Sequence, residues 1–247
     1  MTHSPLTFPL ALYSMMNGLA GLGLLLSPNL SVWHRLLGLQ VGLMGFYLWV
    51  LGQEECNFPF RSLIRFRFLI PLGYIALVCL RLAPLWLLIL AFNDFLWIVW
   101  LLLMMRSSVM PNDNPLTDIP KHYDVWFLSH LVVLGLIPFI EGLGSIFFPD
   151  MYGRLMLGLS VEGDKLVPIL FGLHSLYLAG FWLVVNRNLC EKAVRATAWG
   201  RVVVALAFVG IPLFTRSGYR LIRFVLPLLV SALWTSWELR RRTNTDQ

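Results

Sequence analysis

The chain predicts an all-α polytopic integral membrane protein, with eight transmembrane helices arranged as two parallel tandem four-helix bundles. Three observations carry that expectation. Hydrophobic residues make up 58% of the 247 positions and charged residues only 13%, about half the ~25% charge of an ordinary soluble domain. The mean hydropathy is +0.73, and apolar runs of about 17–25 residues, enough to cross a bilayer, recur along the chain. The chain also repeats itself: 17–104 can be laid over 138–241, and self-similarity fixes an architecture before any residue is given a role.

Eight spans follow in order: 8–27, 36–53, 64–82, 84–105, 124–147, 166–186, 199–215 and 220–239. The third and fourth are divided mainly by Arg81-Leu82-Ala83-Pro84, which leaves a seven-span variant open. Helices are required because lipid offers nothing to satisfy an open sheet edge. Runs such as Trp97-Ile98-Val99-Trp100-Leu101-Leu102-Leu103 lack the alternation of a membrane barrel. Within the repeat, Gly21-x-Gly23 and Pro28 fall on Gly142-x-Gly144 and Pro149. Gly38, Tyr47, Cys56, Arg61 and Arg67 fall on Gly172, Phe181, Cys190, Arg195 and Arg201. Leu96-Trp97-x-x-Trp100 falls on Leu233-Trp234-x-x-Trp237, and the offsets change only in expected loops. The halves are 1–106 and 124–247, joined by a Pro-, Asn- and Asp-rich linker at 107–123 that is long enough for side-by-side docking.

Lys and Arg counts in the short loops set the orientation. One side carries Arg61, Arg65, Arg67, Arg106, Lys121, Arg187, Lys192, Arg195, Arg201 and the Arg240–Arg242 tail. The other carries Arg35, Arg81, Arg154, Lys165, Arg216, Arg220 and Arg223. The richer side is expected to be cytoplasmic, with both termini, and Arg61, Arg65, Arg67, Arg195 and Arg201 are expected to face lipid headgroups. The net charge of +6 therefore reads as topology and contact with anionic lipid, and no nucleic-acid partner is expected. Met1-Thr-His-Ser-Pro-Leu lacks a basic n-region, so no cleaved signal peptide is expected.

Cys56, Cys79 and Cys190 form no CxxC pair, which removes the thioredoxin-type motif and any cysteine zinc site of normal spacing. Cys56 and Cys190 read as reduced thiols of the cytoplasmic loops. His130 and His174 lie within spans but form no His-x-x-x-His or Glu-x-x-His pair, while His3, His34 and His122 flank spans. No metal and no cofactor is expected. Trp97, Trp100, Trp234 and Trp237 read as packing and interface anchors. Gly38-x-x-x-Gly42, with Gly18, Gly21 and Gly45, allows close helix contact.

Several features of each half stand together. The first span ends in Gly-x-Gly-x-x-x-x-Pro (Gly21 to Pro28), and the second carries Gly38, Gly42, Gly45 and Tyr47. A basic loop enters span three with Arg61 and Arg67, and the fourth span reads Asn93-Asp94-Phe95-Leu96-Trp97-Ile98-Val99-Trp100. The chain thereby resembles a tandem duplication of a DoxX-like four-helix membrane protein. The second half keeps the Gly, Pro, Arg and Trp positions but has Ser231 where the first has Asp94. The resemblance covers most of the chain and implies a compact four-helix bundle per half, in a bacterial inner membrane. It implies no activity, because the residues of the thiosulfate–quinone chemistry assigned to some members have no counterpart here.

Ionisable residues at bilayer depth are the candidate functional set, since each costs a few kcal/mol unless buried and paired. Asp94, Glu141 and His174 lie at similar depth at ~1.5 Å rise per residue, and their repeat equivalents are Ser231, Ala20 and Gln40. Two readings follow. In the first, the three residues converge on one buried site, with Glu141 facing His174; in the second, each satisfies a local group. Two function classes remain open with them. One is an accessory or scaffold subunit of a larger membrane complex, or a lipophile-binding bundle, whose partners are the bilayer, other membrane subunits and a lipophilic small molecule. The other is a membrane enzyme or transporter acting on a quinone- or isoprenoid-like substrate through Asp94, Glu141 and His174.

Overall fold

The structure, a computed structural model, describes residues 7–53, 64–107, 125–158, 161, 165–188 and 191–243. Among these residues it is helical, with no strand. The principal helices are α1 (Thr7–Leu26), α2 (Val32–Gln53), α3 (Leu69–Cys79), α4 (Leu87–Ser107), α5 (Val125–Phe147), α6 (Leu166–Asn188), α7 (Glu191–Thr215) and α8 (Val225–Thr243). Among the described residues, four helical stretches are long and apolar enough to cross a membrane: His130–Phe147, Leu166–Leu183, Ala193–Thr215 and Tyr219–Arg241. Leu10–Leu26 and Leu87–Leu103 are shorter apolar helices. Arg61, Cys56, Cys190, His3, His122 and linker positions 108–123 lie outside the described residues.

The third expected span is not one continuous helix. Residues 64–67 form a helical turn, Phe68 is a turn residue, and α3 begins at Leu69. Pro71 explains the break, because it has no N–H to give the Arg67 carbonyl and its ring crowds that position. Two further differences lie at the ends of helices. Residues 149–157 form a short helix (Pro149–Tyr152) and a π-turn (Gly153–Leu157) rather than open loop, and Tyr219–Phe224 is a 3₁₀ segment leading into α8. Arg220 and Arg223 tie these pieces together. Arg220 donates to the Arg154 carbonyl at 2.5 Å, and Arg223 donates to the carbonyls of Leu155 and Met156.

Sequence-adjacent helices pack as four hairpins: α1 on α2, α3 on α4, α5 on α6, and α7 on α8. Glycine permits the closest of these contacts. A Cβ on Gly21 would lie 2.5 Å from the Gly38 carbonyl oxygen and 2.5 Å from the Gly42 nitrogen, and one on Gly142 would lie 2.9 Å from the Gly172 carbonyl. The hairpins are joined centrally, α2 packing on both α6 and α7, and α3 on α6. Tyr47 of α2 stacks on Phe181 of α6 with centroids 4.5 Å apart, and Gln40 donates to Ser175 Oγ at 2.5 Å.

The buried core runs along α2 and α6, where Met44, Tyr177 and Phe181 are almost fully enclosed. The outside is as apolar as the inside: Phe214 is 82% exposed, Leu85 76%, Leu26, Ile89 and Leu233 each 70%. Soluble proteins rarely expose contiguous apolar surface on this scale. The outer surface suits a hydrocarbon environment.

Candidate functional site: two buried arginines and a cavity

Two arginines sit inside the helix packing rather than at its surface. The expectation that Arg67 and Arg201 face headgroups is corrected here, since each is only 4% exposed. Arg65 and Arg195 are exposed. Arg67 shares a helical face with the buried Ile64, Pro71 and Tyr74. For Arg201 the reason is helix length. α7 begins at Glu191, not near position 199, so Arg201 lies ten residues in, about 15 Å from the helix start.

Arg67 joins α1, α4 and α6. Its Nη2 donates to Asp94 Oδ1 at 3.3 Å and to Asn17 Oδ1 at 3.2 Å, and the Tyr13 hydroxyl donates to the same Asp94 oxygen at 3.1 Å. The guanidinium lies over the rings of Tyr13 and Tyr177, at 5.4 and 5.2 Å from their centroids. His174 borders this cluster: its ring centroid is 6.4 Å from that of Tyr74, and its Nδ1 is 2.9 Å from the Leu170 carbonyl.

Arg201 joins α7 to α8. Its Nη1 donates to Ser231 Oγ at 2.6 Å and its Nη2 to Thr235 Oγ1 at 2.8 Å, with the guanidinium 5.4 Å from the Trp182 ring centroid. Its Nε is buried with no hydrogen-bond partner. Ser231 Oγ is also 3.2 Å from His130 Nε2, and the His130 ring stacks on Trp234 with centroids 5.1 Å apart. These His130 contacts bridge α5 and α8.

A cavity of about 280 Å³ opens beside Arg201, between α2, α5, α6, α7 and α8. Its walls are mainly apolar, with Leu39, Leu43, Leu134, Phe171, Leu178 and Phe208 among them. The polar groups that reach it are Gln40, Tyr47, His130, Glu141, Arg201 and Ser231. Along α5 the lining runs from His130 to Glu141, about 16 Å of helix rise. The Glu141 carboxylate pairs with the Tyr152 hydroxyl at the far end. Burial pushes that hydroxyl well above the ordinary tyrosine range.

The expected polar set is thus held in separate places. Asp94 belongs to Arg67, Tyr13 and the first cluster; Glu141 belongs to Tyr152 and the cavity. His174 borders the first cluster and does not line the cavity, and no hydrogen bond or ion pair links it to Glu141 among the described residues. Its position is about 60° round α6 from the cavity-lining Phe171. Among the described residues, no group of three or more His, Cys, Asp or Glu side chains is arranged to hold a metal ion. Gln40, Tyr47 and Arg201 line the cavity although the sequence reading placed them otherwise, Tyr47 and Gln40 as repeat positions and Arg201 at the headgroups. The signal for Arg201 was its register with Arg67, joined to that of Ser231 with Asp94.

The chain matches no protein-family model, no curated protein and no solved structure at a significant level.

Proposed function

We propose that this chain is an integral membrane protein of eight spans, with both termini cytoplasmic, that holds a lipophilic molecule in the cavity beside Arg201. The observation that carries the reading is the cavity itself: apolar walls, a few convergent polar groups, and a volume near the lower end of ligand sites, about 300–1,000 Å³. The apolar exterior supports the bilayer placement, in which α1 to α4 accompany the four longer apolar stretches. The tandem relation of the halves, and with it the DoxX-like origin, is supported by matched contacts: Gly21 on Gly38 beside Gly142 on Gly172, and Arg67 with Asp94 beside Arg201 with Ser231.

The role is non-catalytic, as a lipophile-binding accessory subunit of a larger membrane complex. The separate partners of Asp94, Glu141 and His174 weigh toward binding and against a shared acid–base site. The test is to purify the full chain in mild detergent and identify extracted lipophiles by mass spectrometry, for the native protein and for Val204→Trp, which fills the cavity. A bound lipophile is expected in the native protein and lost in a variant of unchanged thermal midpoint. Retention of the lipophile by the filled variant would place it elsewhere and sink the reading.

A further inference from the structure

The two buried arginines differ in what neutralises them. Arg67 has the Asp94 carboxylate at 3.3 Å. Arg201, equally buried, has only neutral hydroxyls, Ser231 at 2.6 Å and Thr235 at 2.8 Å; the Nε atoms of both arginines are buried with no hydrogen-bond partner. A guanidinium stays charged in proteins, and a buried charge without a counter-charge is costly. No carboxylate of the described residues pairs with Arg201. Glu238, buried on α8 three residues beyond Thr235, pairs with Arg241 at 3.7 Å. Glu141 lines the same cavity at its other end, about 16 Å along α5 from His130, beside Tyr152. Arg201 is also the only arginine or lysine among the described residues lining the cavity. The cavity therefore presents a cation at one end of an apolar channel.

We infer that the cavity selects a single-chain amphiphile with an anionic oxygen head, a carboxylate or a phosphate monoester, whose charge is met by Arg201; this rests on the lipophile-binding reading above. The head sits at the level of Arg201, Ser231 and His130, where the planar guanidinium suits two oxygens of one group. The tail runs along α5 toward Glu141, a length suited to an extended chain. Entry is sideways from the bilayer. Val133, Ile137 and Pro227 line the cavity and are also exposed on the outer surface, which marks the mouth between α5 and α8.

The experiment uses the full chain in a non-ionic detergent, with four radiolabelled probes measured by equilibrium binding: palmitate, hexadecyl phosphate, hexadecanol and hexadecyltrimethylammonium. At least one anionic probe is expected to bind about tenfold or more tighter than hexadecanol, the scale of a hydrogen bond to a charged group. Which of the two anions binds tighter assigns the head as carboxylate or phosphate. Arg201→Gln should abolish the preference and Arg201→Lys should restore part of it. Ser231→Asp gives Arg201 the internal partner that Asp94 gives Arg67, so it should remove the anion preference while hexadecanol still binds. This variant decides the matter if Arg201→Gln does not fold. Equal binding of hexadecanol and the anions, unchanged in Ser231→Asp, overturns the selection by charge and leaves the lipophile reading standing. Failure of every probe to bind the native protein overturns both.

Discussion

At Asp94 a single carboxylate oxygen accepts from Arg67 and from Tyr13 at once, and the side chain is 13% exposed. Removing its charge leaves a buried guanidinium with only neutral acceptors around it. Asp94→Asn is therefore expected to cost about 3–5 kcal/mol, read as a lowered thermal midpoint in detergent. A midpoint within a degree or two of the native protein would mean that solvent reaches the pair. Asp94 was legible in the sequence because a carboxylate at bilayer depth demands a partner. The partner was not legible, because Arg67 follows a stretch that reads as loop and was therefore expected among the headgroups. Matched depth, with the cost of a carboxylate facing lipid, was the argument for bringing Glu141 and His174 together. Depth along a helix says nothing about direction around it, and the two side chains take different partners.

Helix pairing rests on small residues whose effects differ within one turn. A methyl group on Gly21 would meet backbone of α2, whereas one on Gly23, two residues on, meets nothing within 4 Å. Gly21→Ala should therefore destabilise the α1–α2 hairpin by about 1–3 kcal/mol. Gly23→Ala should be neutral or stabilising by up to about 1 kcal/mol, since alanine favours the helix. Thermal melts of the two variants side by side check the opposite signs. A second pair of positions lies where helices end. Arg81 (φ 58°) and Arg216 (φ 54°) both take the left-handed conformation just after α3 and α7. Arg81→Gly should relieve about 1–2 kcal/mol of that cost and raise the midpoint; a fall would show that the arginine side chain contributes more than its backbone costs. The positions of the long helices were readable from apolar runs alone. Their ends were less so, because Pro71, the π-turn after Tyr152 and the 3₁₀ segment before α8 are local backbone events inside uniformly apolar sequence.

Over the whole molecule, the linkage between hairpins decides what the halves are. α2 packs on α7 as well as α6, and α3 packs on α6. Arg67 lies over Tyr177, and Tyr47 stacks on Phe181. Each half thus lends its second helix to the other, and a duplicated sequence pattern alone does not reveal such shared packing. The proposed bilayer placement makes a further prediction. A reporter fused after Gln247 and one inserted in 159–164 should report opposite sides of the membrane. The same side for both would mean an odd number of spans separates the expected arrangement from the true one.

The hairpin pairing also bears on how the chain is made. A protein built from four neighbouring helix pairs can leave the insertion machinery two helices at a time, each pair closing its own contacts before the next emerges. Within the last pair the charge is answered late, because α7 enters carrying Arg201 and its hydroxyl partners arrive only with α8. Between those two moments the newborn chain holds an unanswered charge in the hydrocarbon. A ribosome stalled before Val225 should leave a product that quality-control proteases clear quickly, and replacing Arg201 by Leu in that truncated product should lengthen its lifetime in a pulse–chase measurement.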